Sequence, residues 1–309
     1  MRRKPRKFKN LFLSVLIVAA AVVYIIFGER IAELLGRFTD GLGYPSLPKI
    51  FTSRLSEDEI QIHVIDVGQA ESTLVRSNYG NILIDAGTND SEADIRAHLE
   101  ACGVDTIDYL ICSHPHDDHI GGADMVLDCF TVGTVFMSNA SEESFPREAL
   151  EGRIAKYSIS AVYPSSGDEY TLGDIKIKFL APLEYTDDTN NMSLVFKLTY
   201  GEMDFLFTGD ITSKVEKLML DAYSADELDC EFLKLAHHGA NTASSAEFIA
   251  AVSPQIAVSS SGRENDYSHP RGEVLARLAD VGCETILRTD KMGTVIISSD
   301  GYSLTVIEQ

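Results

Sequence analysis

Several common protein classes are excluded by what this sequence lacks. Its 309 residues hold five cysteines (Cys102, Cys112, Cys129, Cys230, Cys283), none in a C-x-x-C pair. That spacing argues against a disulfide framework and against a cysteine zinc site, and most of the five read as small buried hydrophobes. No internal repeat runs at solenoid spacing. Basic residues are scarce beyond the start. Six of the 26 (Arg2, Arg3, Lys4, Arg6, Lys7, Lys9) precede Asn10, which leaves 20 against 47 acidic residues, a net of −27 for the rest of the chain. Such a body has no broad basic footprint for tracking a nucleic-acid backbone.

The chain begins with that basic tail (1–10) and the run LFLSVLIVAAAVVYIIF (11–27), which has no charge. Seventeen residues sit at the short end of the roughly 17 to 25 that cross a bilayer as a helix. Lys and Arg on the leading flank hold the tail in the cytoplasm and export the chain beyond Phe27. The expectation is one N-terminal transmembrane helix with an extracytoplasmic body. A cleaved secretory signal is the rival reading, under which the body is secreted; Ala19 to Ala21 lie inside the apolar run rather than after it, which favours an uncleaved anchor. Residues 28–58, with GLGYPSLPK, read as a linker.

The remainder, 59–309, reads as one domain; 45% of the whole chain is hydrophobic, enough to bury a core. EIQIHVID, STLVRS and NILIDAG open as strands, with a helix next in SEADIRAHLEAC, Ser91 as its cap and Gly103 as its stop, and then the strand IDYLICS. Strands are expected in TVGTVFMS, DIKIKFLA, MSLVFKLTY, MDFLFTGD, CEFLKLAHH, QIAVSSS, ETILRT, GTVIISS and YSLTVIE. Helices are expected in ITSKVEKLMLDAY, SSAEFIAAV and RGEVLARLADVG. Sheets interleaved with helices make a layered α/β domain.

Chemistry concentrates in SHPHDDH, Ser113 to His119, which holds three of the eight histidines. His114 and His116 share a side of an extended loop, while adjacent Asp118 and His119 can reach two different ions. Imidazole with carboxylate suits zinc and is tolerated by manganese or iron. Asp117 reads as a cap of the next helix, and Gly121 and Gly122 as allowing that helix a close approach. Asp210 closes MDFLFTGD, either as a metal-bridging carboxylate or as the cap of a helix from Ile211. His237 and His238 close CEFLKLAHHG, where the residues alone leave open which is the ligand.

HPHDDH fits the H-x-H-x-D-H signature of metallo-β-lactamase-fold hydrolases. HVIDVGQAES, NILIDAG, HPHDDHIGG, NNMSLV, FLFTGD, LKLAHHGA and SHPRGEVLARL stand in the order found in the exported hydrolase domain of ComEC, the competence DNA-uptake family, which residues 59–309 therefore resemble. The resemblance implies an αββα sandwich. It also implies a site of two divalent ions, zinc first and manganese second, held by His114, His116, Asp118, His119, Asp210 and His237. Beside them it places Asp85 in support of a ligand; the residues themselves offer Asn191 and Ser193 as substrate contacts or backbone partners, Gln69 as a neighbour of the metals or a turn residue, His238 as the alternative to His237, and His269 as an acid, a phosphate contact or a helix-start histidine before Pro270. Many family members carry one more histidine where this chain reads NNMSLV, so one ion is expected to be held more weakly.

The activity so implied is phosphodiester hydrolysis by a metal-bridging hydroxide that Asp118 and Asp210 position. DNA is the implied substrate, although the acidic body fits it poorly, and with no multispan channel like that of ComEC in these 309 residues, transport is not the activity expected of them. The alternatives are an envelope phosphodiesterase acting on small headgroups or teichoic-acid substituents and a noncatalytic metal-binding module.

Overall fold

Fifteen strands form two sheets in a computed structural model that describes residues 55–307 apart from 284. In chain order the first sheet takes β1 (Ile60–Val64), β2 (Thr73–Ser77), β3 (Gly80–Ile84), β4 (Thr106–Cys112), β5 (Thr131–Met137) and β6 (Ser160–Val162). The second takes β7 (Glu169–Leu172), β8 (Ile175–Ala181), β9 (Val195–Tyr200), β10 (Met203–Phe207), β11 (Phe232–Lys234), β12 (Ile256–Ser259) and β13 (Thr285–Arg288). The chain then returns to the first sheet with β14 (Val295–Ser299) and β15 (Leu304–Ile307). The orders are β15-β14-β1-β2-β3-β4-β5-β6 and β13-β12-β11-β10-β9-β8-β7.

Each sheet has an antiparallel and a parallel part. β3 to β6 run parallel, as do β10 to β13. Parallel neighbours need long crossovers, and helices supply them. The helices are α1 (Glu92–Ala101), α2 (Asp117–Ile120), α3 (Ala123–Cys129), α4 (Phe145–Tyr157), α5 (Ser213–Ala222), α6 (Ala225–Leu228), α7 (Ala246–Val252), α8 (Gly272–Asp280) and α9 (Thr289–Met292).

Side chains pack in three apolar layers. Ile60, Ile62, Phe179, Phe196, Phe205 and Phe232 meet between the sheets. Leu83, Leu110 and Val135 pack outward with Ile95 and Leu99 of α1 and Leu150 of α4, while Leu206, Leu233 and Ala257 pack outward with Val215, Ile249 and Leu278. Central strands are thus buried on both faces, which explains why they read as continuous apolar runs rather than alternations. The result is the expected αββα sandwich.

Local differences have physical causes. Ser91 precedes α1 but donates its hydroxyl to the Thr88 carbonyl at 2.8 Å rather than capping the helix. Gly103 does stop it, at φ +69°. Asp117 is the first residue of α2, exposed, with no capping bond, so its part is the favourable charge at a helix start. CEFLKLAHH keeps only Phe232–Lys234 as strand, and its histidines fall on a 3₁₀ turn, Ala236–Gly239. α4 is a helix that the apolar pattern does not announce: it buries Leu150 alone, and its visible signal is the Ser144 cap with Pro146 behind it.

Contacts gather Thr52–Gln309 into one compact unit. The expected tail (1–10), anchor (11–27) and most of the linker (28–58) lie outside the described residues. Among the described residues no helix is long and apolar enough to cross a membrane.

Candidate metal centre

Parallel strands end together, so the loops leaving their carboxyl ends meet at one edge of the sandwich. Asp85 comes after β3, Ser113 to His119 after β4, Asp210 after β10, His237 and His238 after β11, and Ser260 after β12. Backbone bonds tie the ends together: Leu194 N donates to the Ser113 carbonyl at 2.9 Å, Glu71 N to the Asp118 carbonyl at 2.9 Å, and His237 N to the Gly209 carbonyl at 3.0 Å. Gly121 and Gly122 let the start of the next helix lie against residues Ala86 to Asn89, where a Cβ on either would come within 2.6 Å of a backbone oxygen.

Two groups of ligand-type atoms result, His114–His119–Asp210 and Asp118–His119–His238, the atoms of each lying within 4.8 Å of one another. His119 stands between carboxylates. Its Nδ1 is 2.7 Å from Asp85 Oδ2 and its Nε2 3.2 Å from Asp210 Oδ1. Asp210 Oδ2 lies 3.8 Å from His238 Nε2, so one carboxylate faces both groups. His238 Nδ1 meets the Ser260 carbonyl at 3.0 Å, which puts the ring proton on Nδ1 and leaves Nε2 a bare lone pair 3.3 Å from Asp118 Oδ2.

The fit to a cation rests on those ε nitrogens. His119 Nε2 and His238 Nε2 are buried and have no hydrogen-bond partner, although carboxylates stand beside both. A buried polar atom without a partner is costly, and a metal ion between nitrogen and carboxylate removes the cost. The electrostatics agree. Burial works against charge on His119, yet Asp210 and Asp85 overcome it and hold its pKa well above the ordinary value. Burial likewise opposes the Asp210 and Asp118 carboxylates, but the facing histidines keep both well below the usual range. The loop therefore demands positive charge, which a divalent cation can supply.

The remaining expected residues divide. His116 Nδ1 is 3.0 Å from His114 Nε2, and its other nitrogen is 3.4 Å from Glu142, so it borders the first group. Of the adjacent pair, His238 falls in the second group and His237 lies outside it. His237 is 30% exposed with Nε2 3.7 Å from Asp210 Oδ2, whereas His238 is enclosed. Both take left-handed backbone, φ 50° and 56°, a strained pair of the sort that persists where surroundings over-determine it. The helix-capping alternative for Asp210 fails, since α5 begins at Ser213 behind Thr212, whose side chain accepts from Lys214 N.

Asn191 and Ser193 brace the site, the second of the two roles open to them. Asn191 Oδ1 accepts from Thr212 N and Oγ1 at 3.0 and 2.8 Å, and Ser193 Oγ accepts from Asp210 N at 3.0 Å. Gln69 Oε1 accepts from Gly262 N at 3.1 Å, and its Nε2 is 3.5 Å from His269 Nδ1. His269 sits at the rim, its ring 5.9 Å from that of His237 and stacked with Tyr267 at 5.5 Å. Burial, with His238 and His237 beside it, pushes its pKa down to about 4, so it is uncharged at neutral pH.

Sequence reasoning does not assign a part to four residues that the fold brings here. Ser113 N and Oγ both donate to the Asp85 carboxylate at 2.7 Å, which fixes the start of the loop. Glu71 and Lys234 form a buried ion pair beside Asp85 and Ser113 in the cavity under the site. Arg271, next to the rim, has a buried Nε without a partner. For Lys234 the available signal is a charge inside the apolar stretch EFLKLA.

The family model described as the metallo-beta-lactamase superfamily matches residues 65–263. Competence protein ComA of Neisseria gonorrhoeae is 34% identical over 241 residues, covering 77% of this chain and 32% of that protein. ComE operon protein 3 of Bacillus subtilis is 29% identical over 262 residues, covering 77% and 33%. The chain thus spans about a third of the length of these relatives. Among solved structures, the metallo-beta-lactamase fold protein YhfI of Bacillus subtilis superposes with a TM-score of 0.55 at 13% identity, over 78% of this chain and all of that one. CmlA, a diiron beta-hydroxylase from Streptomyces venezuelae, superposes at 0.53 and 14% identity over 76% of this chain and 53% of its own, so the shared fold does not fix the reaction. On the matched span and the sandwich that carries it, the chain belongs to the metallo-beta-lactamase superfamily.

Proposed function

We propose that this protein is a metal-dependent phosphodiesterase, tethered by residues 11–27 with its body outside the cytoplasm, and that its substrate is DNA. The observation that carries the hydrolytic reading is the pair of buried, unpartnered ε nitrogens on His119 and His238, each facing a carboxylate. His114, His116 and Asp210 would hold one ion, and Asp118, His119 and His238 the other, with the Asp210 carboxylate facing both. Bound there, two divalent cations supply Lewis acidity at the phosphoryl group and acidify a water.

The chain's own residues do the positioning. Asp85 and the Ser260 carbonyl fix the δ nitrogens of His119 and His238, so each ε nitrogen points inward. Asp118, 36% exposed, is the carboxylate open to the cleft and positions the attacking water. Ser193 holds Asp210 through its backbone. His269, uncharged at neutral pH, meets a phosphoryl oxygen as a hydrogen-bond donor rather than as a charged acid.

DNA is favoured over a small headgroup by the rim. Tyr267 is 61% exposed and already stacked on His269, a surface on which a base can stack, and Arg271 lies close enough to lower the pKa of His269. The relatives named for competence point the same way. The net of −27 favours the second reading, a cationic small headgroup ester in the envelope.

The test is hydrolysis of single- and double-stranded DNA beside bis-p-nitrophenyl phosphate and a phosphocholine ester, with zinc or manganese and an Asp118→Ala control. DNA cleavage that the control retains would remove the nuclease reading. Cleavage of the phosphocholine ester alone selects the headgroup reading, and no cleavage despite stoichiometric metal selects a binding module. Protection of the body from protease added to intact cells would contradict the exported topology.

A further inference from the structure

A second cluster of ligand-type side chains lies away from the strand ends that build the metal centre. His63 of β1 and His98 and Cys102 at the end of α1 bring three donor atoms together. His63 Nδ1 is 2.9 Å from His98 Nε2, and Cys102 Sγ is 3.7 Å from each of them. His98 and Cys102 are four residues apart and so share one face of the helical turn. His63 is fully buried and Cys102 nearly so.

Hydrogen bonds behind His63 aim its lone pair. Gln61 Nε2 donates to Glu59 Oε1 at 2.9 Å, which turns Gln61 Oε1 toward Arg76 Nη1 at 3.2 Å and His63 Nε2 at 3.1 Å. A carbonyl oxygen there requires the ring proton on Nε2. Nδ1 is therefore a bare acceptor directed at His98 and Cys102.

We propose that His63, His98 and Cys102 form a zinc site independent of the Asp118–Asp210 centre. Tetrahedral zinc takes nitrogen at about 2.0 to 2.1 Å and sulfur at about 2.3 Å, which spaces donors roughly 3.3 to 3.6 Å apart. The observed 2.9 and 3.7 Å bracket that spacing. Two imidazoles and a thiolate select zinc over magnesium or calcium, and water takes the fourth position on the side where His98 is partly open. Binding moves the ring proton of His98 from Nε2 to Nδ1 and releases the Cys102 thiol proton to solvent. Burial keeps both imidazoles uncharged at neutral pH. Burial also raises the Cys102 thiol, and the Arg76 guanidinium counters it in favour of the thiolate. The ion ties α1 to β1. C-x-x-C spacing cannot reveal this arrangement, because its ligands come from two elements, with His63 and His98 35 residues apart.

Cobalt titration of the full chain in detergent tests it, because the other centre has no sulfur ligand. The expected result is a sulfur-to-cobalt charge-transfer band that saturates at one ion, is retained in Asp118→Ala, and is lost in Cys102→Ser and in His98→Gln. Zinc should raise the melting temperature of the Asp118→Ala chain by more than that of Asp118→Ala/Cys102→Ser, the difference being the share of the Cys102 site. Circular dichroism checks that each variant folds, with His98→Gln deciding if Cys102→Ser does not. The proposal is overturned if saturating cobalt gives no such band, or if the band persists at full intensity without Cys102, which would place the sulfur at exposed Cys129.

Discussion

Two buried histidine clusters stand in this domain, and their difference lies in what each ring meets. In the strand-end centre, ε nitrogens of His119 and His238 face carboxylates and have no hydrogen-bond partner. In the β1–α1 cluster, His63 and His98 bond one another, with a thiol alongside. The first cluster is incomplete without a cation. The second is satisfied without one and becomes a site only when its protons leave. Burial of a histidine is thus a weak sign of a ligand; the partner of the other ring nitrogen, and the charge in front of the free one, decide the matter.

The largest expected effect breaks the strand-end centre and leaves the other untouched. Asp210→Ala removes the one carboxylate that faces both groups, and phosphodiester hydrolysis should fall by more than the roughly 10- to 100-fold that loss of an orienting group brings. Rates on bis-p-nitrophenyl phosphate measure it, and near-wild-type turnover would show that Asp210 does not bridge. Next, His238→Ala should drop the bound metal by one ion per chain while His237→Ala keeps both, as read by metal analysis after gel filtration. The opposite pattern would return the ligand role to His237. Asp85→Asn should then weaken metal binding by about 10- to 100-fold, measured by chelator competition, because the amide oxygen stays with Ser113 N and an NH2 group replaces the carboxylate oxygen that holds His119 Nδ1.

A structural contrast tests the support under the centre. Lys234→Met leaves Glu71 buried without its partner and should cost about 3 to 5 kcal/mol in denaturant unfolding, since a buried charge then stands alone. Lys234→Met combined with Glu71→Gln should cost less. Equal losses would mean that packing, not charge, decides the pair.

Much of the centre is legible in the sequence because HPHDDH crowds four expected ligands into one loop after an apolar strand. The choice between His237 and His238 is not, because adjacent residues exchange roles according to backbone hand, and two left-handed residues in succession are not written in composition. Asn191 and Ser193 stay open between two roles for a related reason. Polar residues beside a site satisfy buried backbone as readily as they face substrate, and here they hold Thr212 and Asp210. The layered sheets are legible from apolar runs, whereas α4 is not, because only Leu150 of its thirteen residues is buried and no apolar stripe marks it.

Ser193→Ala gives the smallest expected effect and separates bracing from substrate contact. The hydroxyl accepts from Asp210 N at 3.0 Å and is fully buried, so its loss leaves one backbone donor without a partner. Such a loss costs about 1 to 3 kcal/mol, part of it in stability and part in the placement of the Asp210 carboxylate. If Ser193 acts only through Asp210, KM for phosphodiester should hold while kcat and metal affinity fall together by less than Asp85→Asn lowers them. A rise in KM with metal affinity unchanged would instead put Ser193 against the substrate.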